Sequence, residues 1–129
     1  MSTERNTILI VDDELVMQEM LDELLSTQGY SIMKASNGKE GIDVAENNQD
    51  AIGCIILDIR MLILSGKEAF PILKETCPNA EIILCSGYEL DDDMQLLTES
   101  GACSYLRKPF RSEQLFTTVK DGIANNQTE

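Results

Sequence analysis

Between Ile52 and Leu57 the chain reads Ile-Gly-Cys-Ile-Ile-Leu and then stops on a carboxylate, Asp58. A run this apolar leaves no polar face for water, so it predicts a central strand of a parallel sheet, covered on both sides. Two other apolar stretches end in a similar way. Ile8-Leu9-Ile10-Val11 meets Asp12-Asp13, and Tyr105-Leu106-Arg107 meets Lys108-Pro109. Parallel strands bring like ends to one edge, so this arrangement gathers three carboxylates opposite one ammonium.

Around these runs, short apolar strands alternate with helical periodicity, as in a doubly wound α/β fold. Strands are predicted over residues 7–11, 31–35, 52–57, 81–85 and 103–107. The second alternates more than the first and belongs nearer an edge. Leu15, Met17, Met20, Leu21, Leu24 and Leu25 recur at helical spacing before a stop at Gly29. Asn37-Gly38 reads as a turn, followed by a short helix through Ile42, Val44 and Ala45 to the Asn47-Asn48 break. A third helix over 66–75 contains Pro71, too deep for a first-turn proline, which predicts a kink or a late start. Asp91-Asp92-Asp93 opens a fourth helix, where acids complement the dipole, and Gly101 closes it. Ser112 is predicted to cap a last helix carrying Leu115, Phe116, Val119 and Ile123, with fraying from Asn125 to Glu129. Right-handed crossovers would join these elements, and such sheets bind ligands at the carboxyl ends of their strands.

The 129 residues suffice for one domain with its own core and are too few for two ordinary ones. Hydrophobic content of 43% and charged content of 26% match a soluble globular protein. No apolar run reaches the length of a membrane span, and Met1 to Asn6 contains no signal-peptide core, so a cytoplasmic location is expected. A net charge of −13 opposes direct nucleic-acid binding. Cys54, Cys77, Cys85 and Cys103 show neither a C-x-x-C pair nor zinc-ligand spacing; Cys54 and Cys85 read as small buried hydrophobes in a reducing compartment. Histidine is absent. Neither a histidine base nor a phosphohistidine can come from this chain.

Adjacent carboxylates raise one another's pKa unless a cation offsets them. Oxygen-only ligands suit a hard ion such as Mg²⁺, which keeps several waters and also binds substrate phosphate. Taken alone, Asp12-Asp13 is as well explained by a helix N-cap with an acidic first turn; Asp58, on a different strand, favours the metal pocket. A carboxylate there can attack phosphorus and form an aspartyl phosphate. Lys108 is a point charge suited to phosphate, though most lysines are merely surface residues. Ser86, at the end of the fourth strand, can donate its hydroxyl to a phosphoryl oxygen.

Taken together, these residues resemble a response-regulator receiver domain of the CheY-like family, over essentially the whole chain. The likeness rests on residues 8–14 (Ile-Leu-Ile-Val-Asp-Asp-Glu), Leu57-Asp58-Ile59-Arg60-Met61 with Gly66, Leu84-Cys85-Ser86-Gly87-Tyr88, Gly101-Ala102, and residues 105–110 (Tyr-Leu-Arg-Lys-Pro-Phe). It implies a flavodoxin-like five-stranded parallel sheet in the order 2-1-3-4-5 with five helices, and one domain with a core over about 6–125. It also implies that Asp58 accepts a phosphoryl group from a partner histidine kinase or phosphotransfer protein. Asp13, Asp58 and the Arg60 carbonyl would bind Mg²⁺, with Asp12 assisting through water. Lys108 would contact the phosphoryl group beside a cis bond to Pro109. Ser86 and Tyr105 would act as a switch pair, altering the surface of the fourth helix, fifth strand and fifth helix, where a downstream protein or a second copy docks. Met1 favours a natural start, which suits a stand-alone receiver, and a domain of a larger regulator is the other arrangement.

The sequence departs from the family pattern after the phosphoacceptor. Leu62 stands where a proline commonly follows the methionine, and Met61-Leu62-Ile63-Leu64 is unusually apolar for a surface loop. That loop either packs down, which is the expectation, or meets a partner. Arg60 and Tyr88 hold the positions that flank the phosphoryl group in the family, and a bulky Tyr88 would slow hydrolytic water. Two other functions compete. A phosphohydrolase of the haloacid dehalogenase type would need an aspartate where Arg60 stands. A pseudo-receiver that binds partners without phosphorylation would not need Asp12, Asp13, Asp58, Ser86 and Lys108 together.

Overall fold

In the computed structural model, residues 5–61, 63–87 and 89–127 are described. Strands β1 (Thr7–Val11), β2 (Ser31–Ala35), β3 (Ile52–Asp58), β4 (Glu81–Ser86) and β5 (Ser104–Arg107) alternate with helices α1 (Leu15–Ser26), α2 (Gly38–Asn47), α3 (Gly66–Thr76), α4 (Asp92–Glu99) and α5 (Ser112–Gln127). The strands are all parallel and run in the order β2-β1-β3-β4-β5. This is the doubly wound arrangement that the alternating pattern implies. The central strand β3 is buried along its whole length, while β2 is an edge strand with one fully buried residue, Ala35.

Side chains that alternate along each strand feed two cores. Leu9, Val11, Ile55, Leu57, Ile82 and Leu84 face one core, which also takes Ala45 of α2, Phe70 and Leu73 of α3, and Met94 of α4. Ile8, Ile10, Cys54, Ile56, Ile83 and Cys85 face the other, closed by Leu21 and Leu25 of α1 and by Leu115 and Val119 of α5. Each such aliphatic side chain contributes about 2 kcal/mol on burial. The sheet between the two cores is therefore the rigid frame on which its carboxyl edge is carried.

The helices correct several expectations. In α1, Leu15 and Met20 face solvent at 66% and 39% exposure, and the buried stripe is Gln18, Leu21 and Leu25. No acid lies in the first turn of α1, and its N-cap Glu14 makes no side-chain cap bond. Asp12-Asp13 is thus not an ordinary helix cap. Asn37-Gly38 starts α2 directly, with the Asn37 side chain accepting the Glu40 N–H at 2.8 Å. Helix α3 begins on time at Gly66, because Ser65 and Glu68 form a reciprocal capping box. Pro71 lies within α3 on its exposed side, and the helix continues past it to Thr76. Ser112 is the first residue of α5 rather than a residue before it, and α5 continues through Asn125 to Gln127, while Thr128 and Glu129 lie outside the described residues. Gly29 and Gly101 close α1 and α4 with φ of 92° and 86°, a left-handed backbone that glycine adopts without strain.

Candidate functional site

The carboxyl ends of β1, β3, β4 and β5 converge as the topology requires. Asp12 and Asp13 follow β1, Asp58 and Ser86 are the last residues of β3 and β4, and Lys108 follows β5. Main-chain bonds carry the ladder past the strands: Asp12 N–H donates to Ala35 at 3.0 Å, Ile59 N–H to Cys85 at 3.0 Å, and Lys108 N–H to Ser86 at 2.8 Å. The site residues are therefore held by sheet hydrogen bonds rather than by free loops.

Asp12, Asp13 and Asp58 each offer a carboxylate oxygen within 4.8 Å of the others. Asp12 and Asp58 are 3% and 6% exposed, whereas Asp13 faces the opening. Lys108 Nζ lies 3.2 Å from Asp12 Oδ2 and 3.9 Å from both Asp58 Oδ2 and Glu14 Oε1. Asp12 Oδ1 accepts the Glu14 N–H at 2.9 Å, and Asp58 Oδ1 accepts the Arg60 N–H at 3.2 Å. Asp13, Glu14, Asp58, Arg60, Ser86, Gly87 and Lys108 line a single open hollow above them.

Burial, reinforced by the Asp12 charge, raises the Asp58 carboxyl to about 6; Lys108 and the Arg60 N–H pull it back only in part. Burial alone would lower the Lys108 ammonium, but Asp12 and Asp58 outweigh it and hold the group above its usual range. Cys85, beneath the site, is pushed up to about 12 by burial and is an inert thiol. The cluster carries more negative charge than its one ammonium offsets. Its donors are all oxygen, and Asp58 holds its proton more tightly than an ordinary carboxylate, so the set could hold a hard divalent cation.

The remaining predicted residues separate into those at the cleft and those away from it. Arg60 is at the cleft with its side chain exposed. Tyr105 is half-buried against the core of α2, α3 and α4 and does not line the cleft. The Lys108–Pro109 bond is cis, and Pro109 is exposed. Tyr88 and Leu62 lie outside the described residues. The loop before α3 only partly packs down: Met61 is buried and Leu64 packs on the core, but Ile63 is 58% exposed. Leu64 takes a φ of 52°, and the Gly38 N–H donates to the Ile63 carbonyl at 3.2 Å, tying this loop to the start of α2.

Two residues at the site escaped the sequence reading. Glu14 brings a further carboxylate toward Lys108. Gln18 is buried behind Asp12 and bonds its carbonyl. A signal for Gln18 was present, since it stands three and seven residues before Leu21 and Leu25 on the same helical stripe.

The pattern of the response regulator receiver domain family matches residues 8–120. The chain is 31% identical over 126 residues to the uncharacterized transcriptional regulatory protein YkoG of Bacillus subtilis, covering 98% of this chain and 54% of that protein. It is 33% identical over 116 residues to the transcriptional regulatory protein CpxR of Escherichia coli, covering 89% and 48%. A crystal structure of a response regulator receiver domain protein from Clostridium thermocellum superposes with a TM-score of 0.84 at 28% identity, covering 94% of this chain and 96% of that one. The chain thus spans about half the length of these two curated relatives, and 26% of another, the transcriptional regulatory protein GlrR of Escherichia coli.

Proposed function

Because the chain belongs to the response regulator receiver domain family, we propose that it is a phosphoryl-accepting switch with Asp58 as the phosphoacceptor. One observation carries this reading: a buried carboxylate ends the central strand, within 3.9 Å of an ammonium and with carboxylate oxygens of Asp12 and Asp13 within 4.8 Å. The nucleophile is the ionised Asp58 carboxylate. One of its oxygens bonds to phosphorus, the phosphorus–nitrogen bond to the donor imidazole breaks, and the electron pair leaves with the imidazole, which takes up a proton. The chain contains no histidine, so a phosphohistidine donor must sit on another molecule, which in this reading is a partner histidine kinase or phosphotransfer protein.

Asp13, Asp58 and the Arg60 carbonyl would hold Mg²⁺, with Asp12 acting through water. When bound, the ion offsets charge on the transferring oxygens. Lys108 is poised to give a hydrogen bond to the phosphoryl group, and Ser86 to donate its hydroxyl to another phosphoryl oxygen. Movement of Ser86 would leave room for Tyr105 to turn inward, changing the face formed by α4, β5 and α5. That face would receive a downstream protein or a second copy of the chain. Direct nucleic-acid binding is opposed by the net charge of −13. Arg60 and Tyr88 would flank the phosphoryl group, and Tyr88→Ala should lose phosphate faster than wild type. The chain acts as a signalling domain, with self-phosphorylation from small donors and slow self-dephosphorylation as its chemistry. Among the described residues no helix is long and apolar enough to cross a membrane. All four cysteines are free and buried, which suits a reducing cytoplasm.

The test is mass spectrometry after incubation with acetyl phosphate and Mg²⁺, beside Asp58→Asn. A single phosphoryl adduct is expected in wild type alone and only with the metal. An adduct on the Asn variant would move the acceptor elsewhere. No adduct in either would favour binding without phosphorylation.

A further inference from the structure

Outside the acidic cleft, the most buried polar side chain among the described residues is Gln18, 4% exposed on the inner face of α1. Its Nε2 lies 2.6 Å from the Asp12 carbonyl oxygen, 3.2 Å from that of Ala35 and 3.3 Å from Ser36 Oγ. The amide nitrogen has two protons for three acceptors, so the short bond goes to Asp12 and the other proton is shared. Packing alone would be served by a methionine of similar length, without the cost of burying an amide. The position of the amide suggests a further role.

The Asp12 main chain is gripped on both sides. Its N–H donates to Ala35 at 3.0 Å, and its carbonyl takes the Gln18 bond. That carbonyl belongs to the peptide plane leading into Asp13. The two acids differ in what holds their side chains. The Asp12 carboxylate is fixed by the Glu14 N–H and by Lys108. The Asp13 carboxylate has no hydrogen bond or ion pair among the described residues, so no side-chain partner holds it and the backbone sets the direction in which its Cα–Cβ bond points. An error of a few tenths of an ångström there matters to a hard ion with strict ligand distances.

We infer that Gln18 is a positioning residue of the metal pocket, which aims the Asp13 carboxylate toward Asp58 by fixing the Asp12–Asp13 peptide plane. This rests on the reading of the three acids as a Mg²⁺ site.

The experiment is a Mg²⁺ titration of the full chain, followed through backbone amide shifts by NMR, for wild type, Gln18→Met and Leu25→Ala. Leu25 is fully buried on the same helix, away from the cleft, and its truncation should lower Tm without touching Asp12. Gln18→Met should weaken Mg²⁺ about tenfold, the usual effect of removing a group that orients a ligand. Leu25→Ala should bind as wild type does. Wild-type affinity in Gln18→Met overturns the inference, and so does equal weakening in Leu25→Ala, which would trace the loss to stability. If Gln18→Met does not fold, Gln18→Asn, one methylene too short to reach Asp12, is judged by the same criteria. A wild type that binds no Mg²⁺ overturns the metal reading itself and the inference with it.

Discussion

Lys108 gives its hydrogen bond to Asp12 at 3.2 Å and stands 3.9 Å from Asp58. The one ammonium of the cleft thus leans on the acid that is not the proposed nucleophile. Even so, it lowers the proton affinity of Asp58.

Lys108→Ala should therefore raise the Asp58 pKa further. Carbon-13 NMR of the Asp58 carboxyl should show a midpoint above the wild-type value of about 6. A midpoint at or below that value would show that Lys108 does not act on Asp58 in the resting state.

Stability without metal should depend on pH through the same group. The folded chain holds the Asp58 proton to about 6, and the unfolded chain only to 3.8. Below the lower value both states are protonated and this contribution is fully present. As pH rises through 6 the unfolded state sheds the proton first, and the contribution is lost. The loss is roughly 3 kcal/mol, at about 1.4 kcal/mol per pH unit. Asp58→Asn cannot ionise, so urea titrations between pH 4 and 7 should show the variant gaining on wild type by most of that amount. A gap between the two that does not change with pH counts against a buried, raised Asp58.

Mg²⁺ binding has to displace the Asp58 proton when pH is low. Its dissociation constant should rise about tenfold per unit below pH 6 and level off above it, while calorimetry in buffers of different ionisation enthalpy detects the released proton. Binding that is flat down to pH 5 would place the ion away from Asp58.

Gly38→Ala sets helix propensity against packing. In α2 the change should gain up to about 1 kcal/mol from backbone entropy. A methyl there would sit on the Leu64 carbonyl, in a loop already bonded to the Gly38 N–H. Overpacking of this kind costs about 1–3 kcal/mol, so net destabilisation is expected in urea unfolding. A stabilised variant would mean that the loop yields freely.

The strand ends were legible in the sequence because burial on two faces leaves no alternative for a run such as 52–57, and parallel strands must end together. Asp12, Asp13, Asp58, Ser86 and Lys108 follow from that geometry. The faces of helices were harder to read. Leu15 and Met20 fit the spacing but stand on exposed flanks of α1, while Gln18 lies on the buried stripe yet gives no reason for an amide there until the carbonyls at the ends of β1 and β2 supply its partners. Pro71 signalled trouble in α3, yet Ser65 and Glu68 fix the start of the helix and the proline falls on its open side. The loop after Asp58 could not be judged from its hydrophobicity, because the start of α2, distant in sequence, is what holds Ile63 and Leu64.

Strand β3 has every residue buried and is bonded to β1 on one side and β4 on the other. Its amides are expected to meet solvent only when the whole molecule opens, so it should be the slowest-exchanging segment. A modification at its end acts on the part of the protein least able to yield. If Asp58 is phosphorylated as proposed, the strain should pass sideways into the neighbouring strands, and deuterium uptake is expected to change in β4 and β5 while β3 stays dark.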